Sequence, residues 1–347
     1  MELSSILLKI IDQLDGERTI YAGYHLLRGK RSGQTLQDVE YYGLKPYFHI
    51  IPNCSKEIYD EAVNKLCQAH LIYFAADSFA HTTEKGKMEA QAIAEPQFNG
   101  WNYRGRELLF FSRLSLIVQA ASHLKAGEPS FMPIQKNVEV QSFVKEFARS
   151  YSLKDPVFAS TLKEELLHCM EKSGMTEEQK FILIHRLSGY RLTGWTWDQL
   201  SEQLQYPVAN VRLLYIESLH RILKVIEASK DMALLPKIAE NIKVTSYLTE
   251  SANKTKQLFE MGLPMTAIAG RRKLKMSTIE DHFVEMAIND QKFPLTQFVS
   301  EAEAQAVVDK VRQIGTKRLR ILKDQFPALS YFQLRLILGA RTGGERS

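Results

Sequence analysis

The fold is decided by residues 265–287, MTAIAGRRKLKMSTIEDHFVEMA. Small Ala269 suits a point where two helices cross closely, with Leu274 five residues further on and Ile279 ten residues further on. At these offsets Leu274 fills the turn and Ile279 fixes the next helix in the core, as in a helix-turn-helix. The stretch therefore predicts two short helices that meet at a steep angle.

The flanking residues set the expected limits of these helices. Gly262 would close the preceding helix, and Pro264 would stand at the entry of the next one. Ser277 is a good N-cap for the second helix, which we expect over residues 278–287. The residues of that helix predicted to face the core follow i, i+4, i+7 spacing: Ile279, Phe283 and Met286.

Length and composition describe an ordinary globular protein. The 347 residues suffice for two or three domains with separate cores, and we expect three. No apolar run approaches the roughly 20 residues of a membrane span, so no membrane contact is expected. The start, MELSSILLKIIDQL, lacks the features of a secretory signal, and three cysteines are too few for a secreted disulfide framework. We therefore expect a cytoplasmic protein.

Positive charge is concentrated near the C-terminus. Residues 242–347 contain 17 Lys and Arg against 11 Asp and Glu, although the whole chain carries a net charge of only +5. A basic third on a nearly neutral remainder is typical of a chain that contacts phosphates at one end. A solvated basic surface without a partner is the simpler alternative.

Helical periodicity dominates the chain, so the predicted fold class is mostly α. The exception is a predicted strand over residues 71–75, followed by a tight turn at 76–77 and a second run over 78–81. Before it, helices are predicted over residues 19–27, 35–41 and 55–69, the last with Ile58, Ala62, Val63 and Leu66 facing inward. Three helices followed by a hairpin are the order of a winged helix.

The first segment resembles a known domain. HLLRGKRSGQTLQDVEYYGL at 25–44, the long capped helix after it and TTEKG at 82–86 resemble the winged-helix domain behind the helicase core of RecQ-type DNA helicases. The resemblance covers about residues 17–90. We therefore expect a winged-helix domain over residues 1–95, with a small β-hairpin wing near 71–82 and a threonine capping the helix that follows.

The middle of the chain contains a second helix-turn-helix pattern. Residues 175–223, MTEEQKFILIHRLSGYRLTGWTWDQLSEQLQYPVANVRLLYIESLHRIL, resemble the fourth region of sigma factors. Ser201, Tyr206 and Val211 repeat the offsets of the first pattern. We expect a helical domain over residues 100–230, with helices from Thr176, over 197–204 and from about Pro207, and with the helix-turn-helix at about 175–228.

The last segment has the most extensive resemblance. Residues 246–287 and 293–340 resemble the helix-turn-helix domain at the C-terminus of many RecQ-type helicases, so a basic domain of this type is expected over 244–347. Lys273 stands where that family often has a turn glycine. The whole layout, tandem winged-helix and helix-turn-helix modules without a helicase engine, resembles the YpbB family of Firmicute proteins, which are encoded beside a RecQ-type helicase.

The sequence contains no recognisable motor or catalytic motif. A G-x-x-x-x-G-K-[ST] loop is absent, and the fragment Gly315-Thr316-Lys317 lacks the upstream glycine. No nucleophile, acid–base pair or cofactor motif is recognisable, so we expect a non-enzyme without a cofactor or small-molecule substrate. Zinc is the metal to consider at His49, Cys54, Cys67 and His70, but their spacing is poor and no metal site is expected.

Basic and polar residues at helix ends and turns are the candidate DNA contacts. Most belong to the last segment, around its predicted turn and in a second basic cluster. The other two, Lys30 and Arg31, precede the helix predicted over residues 35–41. The wing around residues 78–82 is a weaker candidate. The predicted DNA-binding residues are Lys30, Arg31, Arg271, Arg272, Lys273, Lys275, Ser277, Thr278, His282, Lys317, Arg318, Arg320 and Lys323.

Three acidic residues argue against base-specific contacts. Glu280, Asp281 and Glu285 are predicted on the outward side of the second helix, where carboxylates repel phosphates. DNA would then be bound by shape and backbone, or the motifs would have become protein-docking surfaces. Trp195 and Trp197 invite base stacking, but packing of Trp197 under its turn is the preferred interpretation.

The predicted function is that of a nucleoid-associated accessory protein in DNA repair or recombination. It would bind forked, single-stranded or duplex DNA by structure rather than by a long sequence, and the resemblance implies a RecQ-type helicase as partner. One alternative is a transcriptional regulator, which would rank one duplex above bulk DNA by about 10³-fold or more. Another is a scaffold that binds only protein.

Overall fold

The computed structural model describes residues 2–75, 78–244 and 247–342. The protein is mostly α-helical, as the sequence predicts. The predicted turn at residues 76–77 lies outside the described residues.

The N-terminal segment has the helix and strand order of a winged helix. The predicted helices and hairpin are confirmed within two residues at each end. The segment consists of α1 Leu3–Leu14, α2 Tyr21–Leu27, α3 Gly33–Tyr41, α4 Lys56–Gln68, β1 Ile72–Phe74, β2 Ala80–Thr82 and α5 Glu84–Ala92, with a 3-10 turn at Lys45–Tyr47. The strands are antiparallel, and Tyr73 pairs with His81.

Local chemistry explains the limits of these elements. The Ser55 hydroxyl accepts a hydrogen bond from the backbone N–H of Ile58 (3.3 Å) and so caps α4. Thr83 likewise accepts from the N–H of Gly86 (3.0 Å), which confirms the expected cap of α5. A side chain at Gly86 would collide with the backbone of Leu71, so only glycine fits there.

The middle segment is entirely helical in its described elements. They are α6 Gly100–Tyr103, α7 Glu107–Lys125, α8 Val138–Ser150, α9 Pro156–Lys172, α10 Glu177–His185, α11 Trp197–Leu204, α12 Val208–Ala228 and α13 Leu235–Ile238. The predicted helix starts are confirmed. Thr176 caps α10 with a capping box, and Pro207 precedes the first residue of α12.

The C-terminal segment contains the helix-turn-helix predicted at residues 265–287. Its elements are α14 Glu250–Glu260, α15 Met265–Arg272, α16 Met276–Asn289, α17 Glu301–Ile314, α18 Leu319–Gln325 and α19 Tyr331–Thr342, with a 3-10 turn at Leu295–Gln297.

The described residues form two compact units. The first takes the described parts of Met1–Ile6, His49–Asn53 and Ile93–Val244, and the second takes those of Leu7–Phe48, Cys54–Ala92 and Thr245–Ser347. The sequence assigns residues 1–95 to a winged-helix domain and residues 244–347 to a basic domain. Most residues of both segments lie in the second unit. The division into three separately folding domains stays a prediction.

The core of the second unit is built around α16. Ile279, Phe283 and Met286 are buried, as predicted, and Val284 on another side of the helix is also fully buried. The helix packs against α14, α15 and α19, and also against α3 from the N-terminal segment. Tyr41 at the end of α3 belongs to the same apolar cluster, so the two segments share a core.

One predicted core position is wrong. Ile58 of α4 was expected to face inward, but its side chain is 42% exposed, and Tyr59 is fully buried instead. The buried stripe of α4 continues through Ala62, Val63 and Leu66, as the helical period requires.

Candidate nucleic-acid interface

The turn between α15 and α16 has the predicted tight geometry. The N–H of Leu274 donates to the carbonyl of Ala269 (3.0 Å), and Leu274 packs at the edge of the core. Lys273 adopts the left-handed conformation (φ 53°) that a glycine commonly takes. The absence of glycine therefore does not open the turn.

The N-cap of α16 differs from the prediction. The helix begins at Met276, and its N-cap is Lys275, whose side chain forms no capping bond. Ser277 is instead an exposed residue of the first turn. The helix starts earlier because the left-handed Lys273 already reverses the chain, which leaves only two residues between it and the helix.

The helix-turn-helix of the first unit has the same local geometry. Gln205 is left-handed (φ 55°), four residues after Ser201, and the N–H of Tyr206 donates to the Ser201 carbonyl (3.2 Å). Val211, ten residues after Ser201, is fully buried. The equal offsets in the two sequences therefore correspond to equal turns.

Both second helices contain a continuous run of buried residues. In α16 every residue from His282 to Ala287 is buried, whereas Met276 and Ser277 are exposed. In α12 the run Leu213–His220 is buried, and Arg212 is its exposed neighbour. A helix lying along a major groove needs one exposed side over its length. The helix α16 does not offer that side, so its N-terminal end is the part that can reach a groove, whereas α12 is exposed again near its C-terminal end at Lys224, Glu227 and Ala228.

The carboxylates of α16 are largely engaged within the protein. Glu285, predicted to face outward, is buried and accepts hydrogen bonds from the N–H and the hydroxyl of Thr249 at the start of α14 (hydroxyl 3.0 Å). Asp281 forms an ion pair with Arg335 of α19. Glu280 is half-buried. The prediction that three outward carboxylates repel phosphates is therefore wrong for Glu285, which is buried. For Asp281 the repulsion is reduced by its ion pair with Arg335.

Three basic residues of the turn remain available. Arg271, Lys273 and Lys275 are exposed, and none forms a hydrogen bond or ion pair with another residue in the described part of the chain. Ser277 is exposed beside them, and Thr278 is half-buried. The turn thus presents three unneutralised positive charges at the exposed end of α16.

Arg272 and His282, both predicted DNA contacts, form an internal network instead. The Arg272 guanidinium donates to the Ser251 carbonyl (2.6 Å) and to the Thr255 hydroxyl. That hydroxyl lies 2.9 Å from Nδ1 of His282, which is buried. Burial, with Arg272 nearby, lowers the pKa of His282. These side chains join α14, α15 and α16, so they stabilise the motif and are not exposed to a ligand.

Most of the second basic cluster is also engaged internally. The Lys317 ammonium donates to the Tyr41 carbonyl, and Arg318 donates to the Gly16 carbonyl. Lys323 donates to the Pro327 (2.8 Å) and Leu329 carbonyls. Arg320 alone among the four is exposed and has no partner among the described residues. The sequence groups these four cations into one cluster, but the chain between α17 and α18 packs Lys317 and Arg318 against the N-terminal segment.

Lys30 and Arg31 lie in the loop before α3. Both are exposed, and neither side chain has a hydrogen bond or ion pair within the residues that the structure describes. Ser32 caps α3 by accepting from the N–H of Thr35 (3.4 Å). The loop thus holds two free cations beside a fixed helix end.

The two tryptophans pack within their own motif. Trp197 lies between the guanidinium groups of Arg186 (4.3 Å from the ring centroid) and Arg212 (5.3 Å), and Tyr215 contacts its edge. Trp195 contacts His185. These contacts are in line with the preferred interpretation of Trp197 as a packing residue, which stays a prediction.

No helix in the described ranges is both long and apolar enough to cross a bilayer. Among the same residues, no group of three or more His, Cys, Asp or Glu side chains is placed to hold a metal ion, and this includes the four candidates for zinc.

Comparisons with known proteins agree with the helix-turn-helix assignment. Residues 251–338 match the model of a helix-turn-helix domain family. Over 346 residues the chain is 28% identical to Protein YpbB of Bacillus subtilis (strain 168), a match that covers 96% of this chain and 96% of that protein. No solved structure matches the chain significantly. The chain therefore contains a helix-turn-helix domain, which is consistent with DNA binding, and is similar to YpbB along nearly its whole length.

Proposed function

We propose that this protein is a non-enzymatic, nucleoid-associated DNA-binding protein that contacts the phosphate backbone through the turn between α15 and α16. The observation that carries the proposal is the combination of three exposed, unpaired cations at this turn with a second helix that is buried beyond its first turn. Such a surface supplies charge for phosphates but little side-chain area for base edges. Recognition then depends on DNA structure more than on sequence.

We further propose that the protein acts with a RecQ-type helicase in repair or recombination. The support is the resemblance of its N- and C-terminal segments to the accessory domains of such helicases, together with the absence of a phosphate-binding loop of its own. In this account the chain supplies DNA-binding modules to a motor that is a separate polypeptide.

A salt-titrated binding experiment tests the first proposal. Affinities for a fork, a duplex and a single strand of matched length would be measured over a range of salt concentrations. We expect measurable binding to all three with the fork preferred, and less than about tenfold discrimination among duplexes of different sequence. Discrimination of about 10³-fold or more would favour the transcriptional regulator instead.

Unwinding assays test the second proposal. The full chain, added to the RecQ-type helicase of the same organism, is expected to co-purify with it and to raise its unwinding rate on forks at moderate salt. A variant with Arg271, Lys273 and Lys275 changed to Gln should still co-purify but stimulate less. Absence of both association and stimulation would contradict the helicase partnership without affecting the DNA-binding proposal.

A further inference from the structure

The loop before α3 lies close to the exposed end of α16. A Cβ added at Gly33, the first residue of α3, would be 3.1 Å from Cγ of Asp281 in α16. Arg335 of α19 bridges the same two helices, because its guanidinium contacts both Gln37 (3.2 Å) and Asp281. The N-terminus of α3 is therefore fixed against the N-terminal half of α16.

This contact brings two sets of free cations near each other. Arg31 is two residues before Gly33, and Lys275 is six residues before Asp281. With 3.8 Å between consecutive Cα atoms, and a 1.5 Å rise per residue and a radius of about 2.3 Å in the helix, the Cα atoms of Arg31 and Lys275 are no more than roughly 27 Å apart. One helical turn of duplex DNA, about 34 Å long, spans that distance.

The acidic residue at the junction does not separate the two sets. Asp281 lies between them, and its charge is offset by the ion pair with Arg335, whose side chain is mostly buried. Lys30, Arg31, Lys273 and Lys275 are all exposed and have no partner among the described residues. Arg31 and Lys275 lie within one turn of duplex, and Lys30 and Lys273 are their near neighbours in the sequence, which favours a single polyanion over two separate ones.

We propose that the loop before α3 and the turn between α15 and α16 form one composite surface that binds the phosphates of a single DNA duplex. The inference rests on the proposed function and extends it, because it assigns DNA contacts to a loop more than 230 residues away in the sequence. The intact second unit, with both segments in place, is then the DNA-binding element.

The experiment uses the full chain and a labelled duplex of about 10 base pairs, which is long enough for one composite surface but too short for two distant ones. Binding would be measured by fluorescence anisotropy at several salt concentrations. The variants are Lys30→Gln with Arg31→Gln (loop), Lys273→Gln with Lys275→Gln (turn), and all four together. The control variant is Lys292→Glu, three residues after the end of α16. It makes the net charge more negative by two, as each double variant does.

On the short duplex, each double variant should lower the slope of log Kd against log salt by about two, and the quadruple variant by about four, because each phosphate contact contributes roughly 0.9. The Lys292→Glu control should keep a near wild-type slope. If the turn variant lowers the slope and the loop variant leaves it unchanged, the composite surface is contradicted. The proposed function would still stand in that case. Failure of the wild-type protein to bind any DNA would overturn both.

Discussion

Lys273 occupies a left-handed backbone position in the turn between α15 and α16. Its left-handed backbone costs an L-residue with a side chain roughly 1 kcal/mol or more, and glycine avoids this cost. Gln205 holds the equivalent position of the other helix-turn-helix with nearly the same φ. Two non-glycine residues in this conformation indicate that the surrounding contacts, and not local preference, fix both turns.

Replacing Lys273 by glycine should therefore leave stability unchanged or raise it by up to about 1 kcal/mol, since relief of the strain is partly offset by the entropy of glycine in the unfolded chain. Urea unfolding measures the effect, and Gln205→Gly is a matched variant in the first unit. A loss of more than about 1 kcal/mol for Lys273→Gly would show that the lysine side chain stabilises the turn.

The His282 network predicts a pH dependence of stability. The Thr255 hydroxyl accepts from Arg272 and lies 2.9 Å from Nδ1 of His282, to which it donates when the imidazole is neutral with its proton on Nε2. The pKa of His282 is lowered in the folded protein by burial and by Arg272. The unfolded chain then binds the proton more tightly, and the contribution of His282 to stability is present above its ordinary pKa of about 6.5 and is lost as pH falls below it.

Comparison of wild-type protein with His282→Asn isolates this contribution. The asparagine oxygen can replace Nδ1 as an acceptor but does not titrate. The wild-type free energy of unfolding should fall more steeply than that of the variant between pH 7.5 and 5.5. Identical pH profiles of the two proteins would contradict the proposed role of the neutral imidazole.

The sequence does not distinguish the basic residues that are exposed to solvent from those that bond within the protein. The sequence identified the exposed residues Arg271, Lys273 and Lys275, but it gave Arg272 and Lys317 the same weight. A basic residue in a turn has the same appearance in sequence whether it faces solvent or a carbonyl. The partner of Lys317, the Tyr41 carbonyl, is 276 residues away, and one sequence does not reveal such a pairing.

The sequence predicts the helices correctly, but it does not predict that α16 is buried on several sides. The spacing of Ile279 and Phe283 correctly gave one core stripe. The sequence did contain a further indication, because HFVEMAI at residues 282–288 has apolar residues on several sides, which is typical of a helix enclosed by its neighbours. The outward position predicted for Glu285 is therefore wrong, because this helix is buried on more than one side.

The shared core of α3 and α16 gives a stability prediction. Tyr41 is 2% exposed, lies in the apolar cluster of the C-terminal segment, and its hydroxyl donates to the Arg335 carbonyl (2.9 Å). Tyr41→Ala should lower the free energy of unfolding by about 3–5 kcal/mol, and the transition of the C-terminal helices should move with it. Tyr73→Ala, at a residue that is 52% exposed, should cost less than about 0.5 kcal/mol.

Hydrogen exchange of amides in α16 and α19 measures this coupling directly. Faster exchange in both helices of Tyr41→Ala is expected if α3 is part of the same cooperative unit. Unchanged exchange there, with loss of protection only in the N-terminal segment, would support the three separate domains that the sequence predicts.

For the whole molecule, the two helix-turn-helix motifs have the same turn but different surroundings. The turn in the first unit has Gln205 and Tyr206 where the second has Lys273 and Leu274, so it lacks the lysine. Of these two turns, the one that carries exposed basic residues lies in the basic C-terminal segment, in line with the uneven charge distribution. We expect the helix-turn-helix of the first unit to contribute little to DNA affinity.

The most direct test of the central claim is the salt dependence of duplex binding by wild-type protein and by the variant Arg271→Gln, Lys273→Gln, Lys275→Gln. If the turn contacts phosphates, the slope of log Kd against log salt should be smaller by about three in the variant, with circular dichroism and thermal unfolding unchanged. Equal slopes and affinities for the two proteins would contradict the claim that this turn binds the DNA backbone.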